Sequence, residues 1–274
     1  MHRLTLLPLL LLSSPLALAS DECPHAAPRQ LQLDTAGART GRVEVNQHTV
    51  HLRAAGGDSH GLSGRACAGK PGWLDALTVT QERQGDTLVV RLRREQPAGM
   101  GSLFGNDRAS LELSGTVPDD VLVQLVVGSG DGFLEGAARA SVDVGSGDAR
   151  VGGVRGAVTA KVGSGDIEVD GAGALKVLAI GSGDLEARDI AGDVDVGSIG
   201  SGDLEVTGVR GNLAIGSIGS GDARLKRIDG TVTVETIGSG DLELQGATAL
   251  QVRSIGSGKA RHRDVGQVDL PARD

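Results

Sequence analysis

Apolar and polar residues alternate along much of this chain in short runs typical of β-strands. The segment RVEVNQHTVHLRA, residues 42–54, alternates at period two. The segment LTVTQERQGDTLVVRLRRE, residues 77–95, alternates on both sides of Gly85 and Asp86 and so predicts a hairpin. ASLELSGTV and VLVQLVVGS continue the pattern, because alternate side chains of a strand lie on opposite faces. Residues 71–77 predict one short helical turn, and residues 95–107 a glycine-rich loop.

From residue 128 onwards, one four-residue motif interrupts the alternation at a near-constant interval. GSGD begins at Gly128, Gly145, Gly163, Gly181, Gly200, Gly219 and Gly238, and GSGK begins at Gly256. The spacings are 17, 18, 18, 19, 19, 19 and 18 residues. A phosphate-binding glycine loop is needed once, whereas eight copies at a near-fixed period indicate a repeat architecture.

Each repeat contains two short strands with one apolar face. In the copy that begins at Gly200, Leu204 and Val206 alternate with polar residues, and Leu213 and Ile215 do the same after a second glycine-rich turn. Such a unit buries its apolar face only by stacking on its neighbours. The sequence therefore predicts an all-β fold, a parallel β-solenoid of about eight coils of 17–19 residues. The antiparallel hairpins of a sandwich are the alternative, since the two-strand period would also allow them.

The prediction divides the chain into three parts. Residues 1–19 contain Arg3, an apolar run and the sequence Ala17-Leu18-Ala19, which together predict an export signal that is cleaved after Ala19. An uncleaved anchor is the alternative, but the apolar run is short, and Pro8 and Pro15 interrupt the segment. Residues 20–127 form a strand-rich region that caps or continues the solenoid, and residues 128–274 form the solenoid. No later segment is apolar enough to span a membrane.

The GSGD corner has a structural and a functional interpretation. Glycines on both sides of the serine would permit the positive φ of a sharp corner, and the Asp would accept hydrogen bonds from backbone N–H groups. Stacking would also place seven carboxylates in one column, which calcium would stabilise. These are Asp131, Asp148, Asp166, Asp184, Asp203, Asp222 and Asp241. Calcium takes six to eight oxygens, and one Asp and one Ser per coil are few, so we expect a structural corner without a cofactor.

A second row of charged residues follows the inward position of each coil. It reads Arg150, Glu168, Glu186, Glu205, Arg224, Glu243 and Arg261. Because this row contains both signs, we expect a solvated face with some Arg–Glu neighbours, each pair contributing little to stability. A binding surface is the alternative interpretation.

Composition narrows the possible functions. The chain has 274 residues and a net charge of −8, with two Phe, one Trp and no Tyr. A core built from Val, Leu, Ile and Ala suits a narrow interior, and the negative charge argues against nucleic-acid binding. The six histidines are scattered, and no pair of carboxylates is placed as in a glycosidase. We therefore expect no catalytic residues.

The two cysteines of the predicted mature chain, Cys23 and Cys67, indicate a disulfide. An exported protein meets an oxidising compartment, where an even pair of cysteines usually bonds. Two free thiols or a metal-binding pair are the alternatives, and no histidine cluster accompanies these cysteines.

The GSGD copies between Gly128 and Asp241, DLEV-type strands such as 203–206 and the preceding VLVQLVVGSGD together resemble a known bacterial family. This is the "putative adhesin" family of unknown function, also called the auto-transporter adhesin head GIN domain group, and the resemblance covers about residues 21–270. It implies a right-handed β-helix, export to the envelope and no established catalytic residues.

Pattern and resemblance together predict a non-enzymatic, exported β-solenoid with a repetitive acidic surface. We expect a structural, scaffolding or adhesion-type module in the periplasm or at the cell surface, with an envelope or surface partner that the sequence does not identify. A polysaccharide-acting enzyme of the β-helix type and a calcium-stabilised binding protein are the alternatives.

Overall fold

The computed structural model describes residues 23–95 and 109–272, and these residues form an all-β fold of 19 strands with one short 3-10 helix. The predicted export signal and most of the predicted glycine-rich loop lie outside these ranges. Within them, no helix has the length and apolar character needed to cross a lipid bilayer.

The strands are short in the N-terminal part and lengthen in several of the repeats. They are β1 (His25–Gln32), β2 (Thr40–Asn46), β3 (Thr49–Ala55), β4 (Gly61–Ala68), β5 (Leu77–Gln84), β6 (Thr87–Arg94), β7 (Ala109–Pro118), β8 (Leu122–Val127), β9 (Asp131–Glu135), β10 (Arg139–Val144), β11 (Asp148–Val162), β12 (Asp166–Ile180), β13 (Leu185–Ile190), β14 (Val194–Ile199), β15 (Leu204–Val209), β16 (Leu213–Ile218), β17 (Ala223–Ile237), β18 (Asp241–Ile255) and β19 (Lys259–Asp269), with a 3-10 helix at Pro71–Trp73.

In the repeats, the strands form two walls around a shared core. The strands that follow each GSGD turn pair with their equivalents in adjacent coils and form the first wall, from β9 to the first part of β19. The strands after the second turn of each coil form the second wall, from β10 to the last part of β19. The long strands, such as β11 and β17, run through the second turn and belong to both walls.

All pairings between successive coils are parallel and place equivalent residues opposite one another. Leu204 pairs with Leu185 on one side and with Ala223 on the other, and Val206 lies between Ala187 and Leu225 in the same way. These six side chains are fully buried. The stacked apolar columns form one continuous core of Val, Leu, Ile and Ala. The repeats are therefore a β-solenoid of about eight turns, and the sandwich alternative is wrong.

The two turns of a coil use glycine for different reasons. The second glycine of each GSGD lies against the coil before it, so that a Cβ on Gly183 or Gly202 would overlap the carbonyl oxygen of the equivalent glycine one coil earlier. The predicted positive φ does not occur at these glycines. It occurs at the second turn, at residues 136, 153, 171, 189, 208, 227, 246 and 264. The glycines of the GSGD corner are therefore explained by the close packing of the coils and not by a need for positive φ.

An additional coil without the motif precedes the first GSGD. Strand β8 pairs with β10 and begins the second wall, and β2 extends this wall by pairing with β8. Strand β3 extends the first wall by pairing with β9, and all three pairings are parallel. The turn between them takes the position of a GSGD corner, because the N–H groups of Ser129 and Gly130 donate to the carbonyl of Asn46, and that of Asp131 donates to the carbonyl of His48.

Antiparallel strands cover the N-terminal end of the solenoid. β4 pairs with β1 and β7, and β5 pairs with β6 in the predicted hairpin around Gly85 and Asp86. The predicted disulfide is present between Cys23 and Cys67, whose Cα atoms are 5.5 Å apart. It joins the segment that leads into β1 to β4, next to the ladder that these strands already form.

Candidate functional site

The Asp residues of the GSGD column bind the backbone of the neighbouring coil. The register aligns Asp131, Asp148 and Asp166 directly. From the third copy onwards, one carboxylate oxygen of each Asp accepts the backbone N–H of the equivalent residue one coil later, at 2.9–3.0 Å. The residues that accept are Asp166, Asp184, Asp203, Asp222 and Asp241. This ladder of side chain to backbone bonds is the structural corner that the motif predicts.

Arginines bind the second oxygen of several of these carboxylates. Arg224 contacts Asp203 and Asp222, both at 3.0 Å. Arg261 contacts Asp241 at 2.9 Å. Burial alone would raise the pKa of Asp203, but the N–H of Asp222 and the guanidinium of Arg224 together outweigh it and lower this pKa below its usual value. The column is thus neutralised in part by side chains of the first wall.

Residues of the second charged row also form ion pairs within the first wall. Arg150 contacts Glu168 at 3.1 Å, and Arg188 lies against both Glu168 and Glu186. These side chains are partly exposed, so each pair contributes little to stability. In the described ranges, no group of three or more His, Cys, Asp or Glu side chains is arranged to hold a metal ion.

The histidines of the N-terminal part occupy structural positions. His48 is buried in the turn between β2 and β3, and its Nδ1 accepts the backbone N–H of Leu111 at 3.2 Å. Burial, with the nearby charge of Arg94, lowers the pKa of His48 from 6.5 to about 4. His60 is buried, with Nε2 2.8 Å from the carbonyl of Gly57. The exposed His51 stacks on Phe133 with ring centroids 4.2 Å apart.

The second turns of three coils form a groove that contains unpaired charges. It has a volume of about 560 Å³ and crosses the coils that begin at Gly181, Gly200 and Gly219. Four of its lining residues are charged and exposed, namely Asp189, Arg210, Arg227 and Asp229. Among the described residues, none of these four side chains has an ion-pair or hydrogen-bond partner. We call this depression the second-turn groove.

The two charges of the second-turn groove that flank Gly208 lie close together but do not meet. A Cβ placed on Gly208 would lie 3.0 Å from Oδ1 of Asp189 and 3.7 Å from Nη2 of Arg227. Asp189 and Arg227 both have positive φ, 54° and 55°, at the position where Gly208 and four other coils have glycine. Asp189 and Arg227 therefore have strained backbone conformations on either side of Gly208.

A family model matches residues 42–255, from β2 to the end of β18, and its description is Toastrack DUF4097. The chain belongs to this family. The matched part of the Toastrack domain includes the additional coil of β2 and β3 and the GSGD coils before the last. It therefore covers most of both walls of the solenoid. The family description names a domain of unknown function.

Three crystal structures are similar to this Toastrack domain at low sequence identity. A "putative adhesin" from Parabacteroides merdae has 13% identity and a TM-score of 0.48, covering 88% of this chain and 97% of that one. A "putative adhesin" from Parabacteroides distasonis has 15% identity and a TM-score of 0.45 at 87% and 97% coverage. A "putative lipid binding protein" from the same species has 14% identity and a TM-score of 0.48 at 89% and 97% coverage.

Similarity at this level carries no information about a ligand or partner of the Toastrack domain. No curated protein matches its sequence. The site residues must therefore be judged from their own geometry. By that standard, the Asp column supports the stacking of coils, whereas the second-turn groove contains charges that no contact in the described structure uses.

Sequence reasoning missed the second-turn groove, although a signal for it exists. The residue eight positions after the start of each motif copy is Gly in five copies, and Asp189, Arg227 and Asp264 in the other three. These three residues also have positive φ. The available signal was the replacement of glycine at this position in three copies. The prediction was based on the other turn of each coil, because the GSGD motif found there is more regular.

Proposed function

We propose that this protein is a non-enzymatic, exported module of the bacterial envelope that attaches to a surface partner through the outer side of its solenoid. The predicted signal peptide supports export, and the rigid stacked walls support a scaffolding or adhesion role. The proposal includes no bound cofactor and no nucleic acid as a partner.

One observation carries this proposal: the repeated polar residues are engaged in holding the coils together. Five Asp residues of the column accept backbone N–H groups from the next coil. Arginines of the first wall pair with acids of the same or neighbouring coils, as Arg188 does with Glu168. An active site is one asymmetric group of residues with perturbed proton affinities. A feature repeated in nearly every coil fits a structural role better.

Attachment to the envelope is the direct test of this proposal. Purified mature protein is mixed with peptidoglycan sacculi and with membrane vesicles from the producing bacterium, and binding is measured by co-sedimentation. We expect saturable binding to at least one fraction, and no binding by the unfolded control Val206→Asp. Equal and non-saturable recovery of folded and unfolded protein with both fractions would contradict the proposal.

The enzyme alternative has its own readout in the same material. New reducing ends are measured after the protein has been incubated with the envelope polysaccharides. We expect none above the level produced by heat-denatured protein. Release that rises with protein concentration and time would show a polysaccharide-cleaving enzyme.

Export is tested separately by mass spectrometry of the protein recovered from cell fractions. We expect the mature chain to begin at or within a residue or two of Ser20 and to be absent from the cytoplasm. A cytoplasmic protein that retains residues 1–19 would refute the export part of the proposal.

A further inference from the structure

We infer that the second-turn groove is a binding site for a neutral saccharide, which Asp189, Arg227, Arg210 and Asp229 contact through its hydroxyl groups. The inference deepens the proposed attachment function and rests on it for its biological meaning. It starts from the contrast between the first wall and the groove. On the first wall, charged residues pair across coils, whereas the four charged side chains of the groove pair with nothing in the described part of the chain.

The spacing around Gly208 indicates the kind of group that fits. Oδ1 of Asp189 and Nη2 of Arg227 lie 3.0 and 3.7 Å from one point above the glycine, yet the two residues form no ion pair within 4.0 Å. That point is one bond length from the Gly208 Cα, so a ligand atom would lie farther out, in the gap between the carboxylate and the guanidinium. A hydroxyl suits the position, because it donates to the carboxylate and accepts from the guanidinium. An ammonium would serve only the Asp, and a carboxylate only the Arg.

A second pair of oppositely charged groups lies two residues further along the coils. Arg210 and Asp229 occupy equivalent positions in neighbouring coils, which are about 4.8 Å apart in a parallel sheet. They are exposed, line the same groove and are not bonded to each other. Two separated donor–acceptor pairs match a ligand with several hydroxyl groups. Because the two acids and two bases cancel in charge, a neutral saccharide fits better than a polyanion.

The backbone of the groove supports a role beyond solvation. Non-glycine residues with positive φ cost free energy that glycine avoids, and Arg has no local hydrogen bond to compensate. Asp189 and Arg227 both have this unfavourable backbone conformation. Gly208 lies between them and has no side chain that would fill the bottom of the groove. A volume of about 560 Å³ is within the range of small-molecule sites.

The strained positions provide variants that should fold at least as well as the wild type. Arg227→Gly and Asp189→Gly restore the glycine that other coils have there, so the melting temperature should stay the same or rise. Asp264→Gly is the matched control, because Asp264 has the same strain, with φ of 57°, but lies outside the groove. A loss of binding confined to the first two variants cannot then be attributed to unfolding.

The test uses neutral trisaccharides (chitotriose, maltotriose and mannotriose) with trigalacturonate as the charged comparison, in saturation-transfer NMR and calorimetry. We expect saturable, salt-insensitive binding of at least one neutral trisaccharide. Arg227→Gly and Asp189→Gly should each weaken it at least tenfold, and Asp264→Gly should leave it unchanged. The inference is overturned if no neutral trisaccharide binds, if trigalacturonate binds best, or if Asp264→Gly weakens binding as much as Arg227→Gly.

The outcomes also separate this inference from the proposed function. Envelope binding that persists in the absence of trisaccharide binding would overturn the groove inference alone. Trisaccharide binding without attachment to any envelope fraction would support the groove and contradict the proposed function.

Discussion

Adjacent residues of one strand have opposite structural roles in this protein, and the difference follows from period two. Val206 is fully buried between Ala187 and Leu225, whereas its neighbour Glu205 points outward and contacts Lys226 at 2.8 Å. The inward column has no polar partner for a charge, and the outward row faces solvent. The alternation in the sequence predicted this assignment correctly.

Substitutions at this pair should differ sharply in their effect on stability. Val206→Asp places an unpaired charge in a narrow core, so we expect loss of folding or a destabilisation of more than about 4 kcal/mol. Glu205→Gln removes one partly exposed ion pair, and we expect a change of less than about 1 kcal/mol. Urea denaturation measures both. Equal effects would show that the inward face has been assigned wrongly.

His48 should make the stability of the protein depend on pH. Burial lowers its pKa from 6.5 to about 4, so between these values the unfolded chain binds a proton that the folded chain does not. The free energy of unfolding therefore falls as the pH drops from about 6.5 to about 4, by about 3 kcal/mol in total. We expect His48→Leu to remove this part of the slope in denaturation curves. An unchanged slope in the variant would contradict the buried, neutral state of His48.

At the scale of the turn and the coil, the sequence predicted where the corners lie but not why they need glycine. The repeat spacing located every GSGD corner, because identical turns recur at the same phase. The cause of the second glycine is contact with the previous coil, which becomes visible only when the coils are stacked. The turn formed by Asn46 and the two residues after it was missed for the same reason. It has the position and backbone bonds of a GSGD corner without the residues of one.

Two glycine substitutions test whether a glycine is required by close packing of the coils or by a positive φ. In Gly202→Ala the new Cβ would overlap the carbonyl oxygen of Gly183, so we expect the variant to lose several kcal/mol or fail to fold. In Gly246→Ala nothing lies within 3.7 Å of the new Cβ, and only the φ of 78° is unfavourable, at a cost of about 1–2 kcal/mol. Thermal denaturation ranks the two variants. A larger loss for Gly246→Ala would refute the packing explanation.

Over the whole molecule, repetition made the fold predictable and concealed the candidate site. Each coil repeats the inward pattern, so the solenoid follows from the sequence with little ambiguity. The second-turn groove depends on three neighbouring coils, in which Asp189 and Arg227 replace glycine on either side of Gly208. Its geometry depends on which of the residues that replace glycine lie next to each other once the coils are stacked. A search for residues shared by the repeats does not identify them.

The central claim is that the Asp column holds neighbouring coils together through their backbones, and we expect it to do so without calcium. Asp184 tests it, because one of its oxygens accepts the N–H of Asp203 at 2.9 Å, and the amide oxygen of Asn can accept the same bond. Thermal melts of the wild type and of Asp184→Asn in calcium and in chelator are the measurement. We expect nearly equal melting temperatures in all four conditions, with Asp184→Ala lower by the loss of about one hydrogen bond, about 1 kcal/mol. A calcium-dependent rise of many degrees that Asp184→Asn abolishes would contradict the account and establish a calcium-binding protein.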